Sequence, residues 1–169
     1  MQETFVVQDC YYYNTLTSNT NGFTLNGSLS RTFSQNGVTI KGTRNVEDTL
    51  SFDSSIPSNC RIECDVQEII LGTYDVSAEI YVQNTAIANR KTNGVMKTTL
   101  YTKSPLSNTD YTVHTPPFHL EIEVNGSTMT YYIDNNLLGS RSGDTSGTVG
   151  LRAYNNRGIT VQNLKVKAL

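Results

Sequence analysis

Three carboxylates lie close together in one segment of the chain, with the spacing E-x-D-x-x-E. They are Glu63, Asp65 and Glu68. Hydrolysis of a glycosidic bond needs one carboxylate as nucleophile and another as general acid and base, and the residue between them can tune both. Glu63 and Asp65 share one face of a strand by alternation, whereas Glu68 joins them only if the strand has a bulge near Gln67. The apolar residues change phase after Val66, which favours that bulge. The alternative interpretation is a solvated polar face.

A second candidate site is built on tyrosines. Tyr81 and Tyr101 fall on the polar phase of two predicted strands. Aromatic rings pack against the C–H faces of sugars, and neighbouring amide and guanidinium groups bind the hydroxyls. We therefore predict a ligand site made of Tyr81, Gln83, Asn84, Arg90 and Tyr101, with Asn84 and Arg90 in an adjoining loop. The alternative is that both rings pack as a second layer over the sheet.

The elements that must position these residues are predicted to be strands. Period-two alternation recurs along the chain, for example in residues 62–66 and 120–124, and no amphipathic helix of three turns is evident. Asn-Gly pairs, which suit tight hairpin turns, punctuate the chain at Asn21, Asn26, Asn36, Asn93 and Asn125, and Asp134-Asn135-Asn136 is a further turn candidate. Short strands with a turn roughly every ten residues indicate an all-β antiparallel sandwich or barrel.

One domain accounts for the whole of residues 1–169, because no linker or internal repeat divides the chain. Residues 10–22 are interpreted as a polar, Tyr-rich excursion between the first two strands. Its run Tyr11-Tyr12-Tyr13 is either a contact surface for a partner chain or a surface strand with one ring buried and two at the rim.

Composition excludes several classes of function. Thr, Asn and Ser number 23, 17 and 15, and charged residues make up only 17% of the chain. With a net charge of −2 and no cluster of Lys and Arg, we expect no nucleic-acid partner. No apolar run approaches the roughly 18 residues that a membrane span needs, so we expect no membrane insertion.

The N-terminus and the cysteines bear on the cellular compartment. The opening residues, Met1 to Val7, have neither a basic nor an apolar signal-peptide region. The three cysteines, Cys10, Cys60 and Cys64, lack the spacing of a zinc site and are interpreted as small buried apolar residues. We expect a domain that acts outside the cell or on a virion surface without a signal peptide of its own.

Five segments carry a resemblance to a known fold family. They are HLEIEVNGSTMTYYIDNNLLGS (119–140), SGTVGLRAY (146–154), ITVQNLKV (159–166), LSF (50–52) and CRIECDV (60–66). In this order they resemble the hairpins and closing strands of concanavalin A-like jelly-roll domains of the laminin-G-like and lectin/glucanase group. The resemblance implies a two-sheet antiparallel β-sandwich of jelly-roll type.

The same resemblance also bears on catalysis and on metal binding. On this fold, the triad Glu63, Asp65 and Glu68 resembles the catalytic signature of laminarinase-like retaining glucanases, yet the chain contains no Trp on which to stack a sugar ring. The last strand has Gln162-Asn163 where many relatives have Asp-Asn, which argues against a structural calcium site there. We expect no cofactor, with a calcium site near acidic residues such as Asp9 left open.

Three functions follow from these observations. The first is a non-catalytic module that recognises a carbohydrate or a cell-surface polymer. The second is an attachment, decoration or purely structural component of a phage virion that contacts other virion chains, which the missing signal peptide favours. The third is a glycoside hydrolase that uses Glu63, Asp65 and Glu68.

Overall fold

The computed structural model describes residues 10–103, 105–143 and 148–169. Within these residues the chain forms fifteen strands and a short 3-10 turn, Thr73–Asp75, and no α-helix. The strands are β1 (Cys10–Asn14), β2 (Phe23–Asn26), β3 (Ser30–Ser34), β4 (Gly37–Lys41), β5 (Asp48–Phe52), β6 (Asn59–Ile70), β7 (Glu79–Val82), β8 (Thr85–Thr92), β9 (Val95–Lys103), β10 (Leu106–Thr112), β11 (Phe118–Asn125), β12 (Thr128–Ile133), β13 (Asn136–Ser142), β14 (Val149–Ala153) and β15 (Gly158–Ala168).

The strands form two antiparallel sheets. Sheet I has the order β13-β12-β11-β6-β15-β4-β3, with β1 also paired to β15. Sheet II has the order β10-β9-β8-β7-β14-β5-β2. One apolar core draws buried side chains from both sheets. The predicted all-β antiparallel sandwich is confirmed.

The core follows from side-chain alternation. On β11, Phe118, Leu120, Ile122 and Val124 are buried, while the acidic residues between them face outward. The apolar residues lie opposite apolar residues of β6, such as Ile62 across from Ile122. Burying one such apolar side chain stabilises the fold by about 1.5–3 kcal/mol. Apolar residues therefore occupy the inner faces of the two sheets, and most polar residues lie on the outer faces.

The turns are formed by the residues that tolerate left-handed backbone. Asn93 and Gly94, with φ of 51° and 80°, connect β8 to β9, and Asp134 and Asn135, with φ of 50° and 63°, connect β12 to β13. Two consecutive positive φ angles match the twist of the hairpin strands. The turns predicted at these two positions are confirmed.

A bulge interrupts β6 at the predicted place. Glu68 lies opposite Thr160 of β15, but Val66 lies opposite Val161, so Gln67 is the extra residue. The bulge explains the change of apolar phase along β6 and returns Glu68 to the outer face of sheet I.

The segment 10–22 differs from its interpretation as an excursion, because its first residues form β1. Tyr13 of β1 pairs with Lys165 of β15, a partner about 150 positions away that no local pattern reveals. Tyr12 packs against Phe52 with ring centroids 4.8 Å apart, whereas Tyr11 and Tyr13 are more than half exposed. The alternative interpretation, a surface strand with one ring packed and two at the rim, describes this strand.

Two of the three cysteines are buried as predicted, and the side chain of Cys10 lies outside what the structure describes. Cys60 and Cys64 are buried free thiols. Burial raises the pKa of Cys60 to about 11 and that of Cys64 to about 12. Asp9, the N-terminal segment before it and residues 146–147 of the closing motif lie outside the described residues.

Candidate functional site

The outer face of sheet II has small residues where the central strands β14, β7 and β8 meet. Tyr81 lies opposite Gly150 on one side and Ala86 on the other. A Cβ atom on Gly150 would lie 2.7 Å from the Tyr81 hydroxyl and 2.3 Å from the carbonyl oxygen of Leu50. Glycine is therefore required for the Tyr81 side chain to lie close to β14.

A groove of about 230 Å³ opens on this face. We call it the sheet II groove and define it by Glu79, Ala88, Arg90, Tyr101, Asn108 and Arg157. Ala88 has almost no side chain to fill the space, and Asn108 of β10 lies directly opposite Tyr101 of β9. Arg157 comes from the connection between β14 and β15, so strands and a loop build the groove together.

A cluster of three buried charges lies at one wall of the groove. The carboxylate of Glu79 accepts a hydrogen bond from Nε of Arg152, and its other oxygen is 4.0 Å from Nη1 of Arg157. Each of these three side chains is less than a tenth exposed. Nη2 of Arg152 and Nε of Arg157 are buried without a hydrogen-bond partner. Two guanidinium groups therefore share a single carboxylate.

The two predicted tyrosines differ in their access to solvent. Tyr81 is 5% exposed, its hydroxyl is 2.6 Å from Oγ of Ser51, and the Arg152 guanidinium lies 4.9 Å from its ring centroid. Tyr101 is partly exposed and lines the groove. Burial raises the pKa of Tyr101 well above its ordinary value, and the carboxylate of Glu79, which accepts its hydrogen bond, adds to this shift. Tyr81 thus lies behind the groove, and Tyr101 lines the groove.

The other predicted ligand residues separate into two places. Arg90 lies within β8, not in a loop as predicted, and it lines the groove with Nε 3.2 Å from Oγ1 of Thr92. Gln83 and Asn84 form the turn between β7 and β8, where they border Gly143. The structure therefore brings Arg90 and Tyr101 together in the groove and places Gln83 and Asn84 at the hairpin tip.

Sequence reasoning missed Asn108 and Arg157 of the groove and Arg152 behind it. Arg152 follows Leu151 in a strand, so its polar phase could have assigned it to the outer face. Asn108 lies in the polar strand β10, whose pairing with Tyr101 is set only by the hairpin register. Arg157 is the end of a loop and carries no local signal, because its position depends on the packing of Gly72 against its backbone and Cγ.

An ion pair spans the same face of sheet II. Lys103 of β9 bonds to Glu47, which immediately precedes β5, although three strands separate β9 from β5 in the sheet. Both side chains are 39% exposed. The connection from β4 to β5 thus reaches over the outer face, which accounts for the burial of Tyr81 and Ala86 on a face that points away from the core.

The three carboxylates of the E-x-D-x-x-E pattern share the outer face of sheet I, because the bulge at Gln67 aligns them. Each has a protein partner: Glu63 bonds to Nζ of Lys167 at 2.8 Å, and Glu68 to Oγ1 of Thr160 at 3.2 Å. Asp65 accepts hydrogen bonds of 2.7 Å from Nδ2 of Asn163 and pairs with Nδ1 of His119 at the same distance.

These partners hold Asp65 in its ionised form. Burial alone would raise the pKa of Asp65, but the His119 and Asn163 hydrogen bonds outweigh it and lower the pKa. The side-chain amide of Asn163 donates a hydrogen bond to Asp65.

Among the described residues, no group of three or more His, Cys, Asp and Glu side chains is arranged to hold a metal ion. The expectation of no cofactor, and the open question of calcium near Asp9, stay predictions. In the same part of the chain, no helix has the length and apolar character needed to cross a bilayer.

Comparisons with known proteins show which solved structures share this architecture. No protein-family model and no curated protein matches the sequence, but solved structures do match the fold. A carbohydrate-binding module, CBM66 from Bacillus subtilis, superposes with a TM-score of 0.61 at 16% identity, over 89% of this chain and 98% of that one. The Crh5 transglycosylase in complex with NAG gives 0.69 at 10% identity, over 95% and 86%. The carbohydrate recognition domain of Emp47p gives 0.61 at 9% identity, over 93% and 95%.

The chain has the concanavalin A-like jelly-roll fold. The resemblance found in residues 50–66 and 119–166 is thereby confirmed at the level of the fold. At these identities the likeness concerns the jelly roll alone, since the same fold carries binding modules and enzymes.

Proposed function

We propose that this jelly roll is a non-catalytic module that binds a carbohydrate in the sheet II groove. The observation that carries the proposal is the partly exposed ring of Tyr101 beside Arg90 and Asn108 in an open groove. An aromatic ring provides a flat apolar surface for a pyranose, and the amide and guanidinium groups provide hydrogen bonds to its hydroxyls.

The structural neighbours support the same class of ligand. One is a carbohydrate-binding module and another a carbohydrate recognition domain, as their names state. Together with a groove on the outer face of a sheet, this favours a glycan or a glycan-bearing cell-surface polymer as the partner. A site of action outside the cell or on a virion surface is part of the proposal.

The arrangement of the carboxylates favours a binding module over a glycoside hydrolase. Glu63, Asp65 and Glu68 are each held by a cationic or hydrogen-bonding partner on sheet I. In the E-x-D-x-x-E pattern the nucleophile and the general acid would be Glu63 and Glu68, and both carboxylates are already bonded on this face, to Lys167 and to Thr160. Release of reducing ends from β-glucans that disappears in the Glu63→Gln variant would restore the hydrolase as the function.

The experiment is a binding screen of the purified domain against polysaccharides and microbial cell-wall preparations, with and without calcium. We expect saturable binding that falls about tenfold in Tyr101→Ala and in Asn108→Ala. Asn108 is exposed, so its replacement leaves the core intact. Tyr132→Ala, on the outer face of sheet I, is the matched control and should bind as the unaltered protein does. An equal loss of binding in Tyr132→Ala would contradict a binding site on sheet II.

A second candidate function is an assembly role in a phage virion. The observation that favours it is the exposure of Tyr11 and Tyr13, which are 57% and 53% exposed on β1. Exposed aromatic side chains are enriched at protein interfaces. A stable trimer or ring that dissociates in the Tyr11→Ser, Tyr13→Ser variant would support this role, and a monomer would leave the soluble binding module.

A further inference from the structure

The sheet II groove contains more positive than negative charge, in a chain whose net charge is −2. Arg90 and Arg157 line it, and Arg152 lies behind it beside Tyr81. Glu79 is the acidic residue of the lining. Other acidic residues on the same face are engaged elsewhere, since Glu47 pairs with Lys103, Asp75 with Lys91, and Asp110 accepts a hydrogen bond from Thr99.

Arg157 is held in place but is not fully bonded. Its guanidinium carbon lies 3.7 Å from the centroid of the Tyr154 ring, and the backbone at Gly72 packs against its Cγ. It lies 4.0 Å from Glu79, beyond hydrogen-bond distance, and its Nε is buried without a partner. A side chain more than nine-tenths buried with an unused donor costs free energy unless another group accepts its hydrogen bond.

The geometry of the cluster suits an anion. Nε of Arg152 donates a hydrogen bond to Glu79, so this carboxylate is already bonded to the buried guanidinium behind the groove. Glu79 supplies one negative charge against the guanidinium groups of Arg152, Arg157 and Arg90, so these groups leave a net positive charge at the groove. A planar guanidinium fork binds a carboxylate through two parallel hydrogen bonds, which makes arginine the preferred residue for such groups.

We propose that the sheet II groove binds an acidic sugar residue, a uronate, with its carboxylate between Arg157 and Arg90 and its ring against Tyr101. The inference rests on the carbohydrate-binding function proposed above and names the class of sugar for the same groove. Asn108 then hydrogen-bonds a ring hydroxyl opposite Tyr101.

The test compares acidic polymers with neutral polymers of the same backbone. Titration calorimetry is run with polygalacturonate, alginate and hyaluronate, and with their carboxyl-esterified forms. We expect at least one acidic polymer to bind at least tenfold more tightly than its ester. We expect Arg157→Gln and Arg90→Gln each to reduce that ratio at least threefold, whereas Lys165→Gln on sheet I, which removes the same charge, leaves it unchanged.

The outcomes separate the two proposals. Binding to neutral glycans that Asn108→Ala abolishes, with no preference for an acid over its ester, would overturn the uronate and leave the carbohydrate function standing. Equal affinity for dextran sulfate would show that the groove attracts any polyanion, which also overturns it. Absence of binding to every acidic and neutral polymer would remove the carbohydrate function itself. If Arg157→Gln does not fold, Arg90→Gln, whose side chain is partly exposed, decides the question.

Discussion

The outer faces of the two sheets carry similar residues but differ in how their charges are matched. On sheet I, Arg61 contacts both Glu121 and Glu123, Lys167 contacts Glu63, and His119 contacts Asp65. On sheet II, two buried guanidinium groups share Glu79, and small residues leave space beside them. Both faces contain buried arginine nitrogens without a hydrogen-bond partner, Nε of Arg61 on sheet I and Nη2 of Arg152 and Nε of Arg157 on sheet II. The difference is the ratio of charges, because Arg61 faces two carboxylates whereas Arg152 and Arg157 face one.

The difference also concerns shape. The central strands of sheet II carry small residues on their outer face: Gly150 and Ala86 flank the Tyr81 side chain, and Ala88 lines the groove. The matching positions of sheet I carry long side chains that lie across the strands and bond to each other, as Arg61 and Glu123 do at 2.6 Å. Charge balance and side-chain length together distinguish the two outer faces.

The largest expected effect comes from removing the carboxylate that two arginines share. Glu79→Gln leaves two buried guanidinium groups without a counterion, and we expect the free energy of unfolding to fall by about 3–5 kcal/mol. Glu63→Gln on sheet I is the matched control, with a single, more exposed lysine partner, and should cost about 1 kcal/mol. Urea denaturation of both variants measures the difference, and equal losses would erase the contrast between the faces.

A smaller effect is expected where a tyrosine hydroxyl is bonded on each face. Tyr81→Phe removes the buried contact with Ser51 and should lower the free energy of unfolding by about 1 kcal/mol. Tyr132→Phe removes a 3.3 Å contact with Glu123 at a more exposed position, so its effect should be within about 0.5 kcal/mol. Thermal and urea unfolding report both values. A larger loss in Tyr132→Phe would contradict the assignment of Tyr81 to the layer behind the groove.

The smallest effect is a pH dependence on sheet I. The pKa of Asp65 is lowered in the folded state, so its ionised form stabilises the fold at pH values above its unfolded pKa, and this contribution is lost as the pH falls through the folded value. We expect the unaltered protein to exceed Asp65→Asn in unfolding free energy by less than about 1 kcal/mol at pH 6, because the pair is partly exposed, and by less at pH 2 than at pH 6. A constant difference between these pH values would show that Asp65 acts through packing alone.

Local patterns predicted the strands because alternation reports directly which side chains face the core. They predicted the turns at Asn93 and Asp134 because few residues adopt left-handed backbone without strain. Even the bulge at Gln67 was visible, since an extra residue shifts the apolar phase. β1 was not visible as a strand partner of β15, because that pairing joins residues about 150 positions apart.

The candidate site was predicted only in part. Tyr101 was placed by its strand phase, whereas Arg90 was assigned to an adjoining loop and lies within β8; both line the groove. Gln83 and Asn84 were included because they follow Tyr81 in sequence, but the hairpin reverses there and carries them to its tip. Whether they contact a ligand stays a prediction.

By itself the sequence determined the all-β class, the strand phases and the tight turns, because each depends on neighbours two to four residues apart. Only the tertiary structure decided that Arg157, from a loop after β14, lies 4.0 Å from Glu79 at the start of β7. It also decided which carboxylates find partners on each outer face. Those outcomes depend on the packing of distant segments against each other, and contacts of this kind produce no periodic pattern in the sequence.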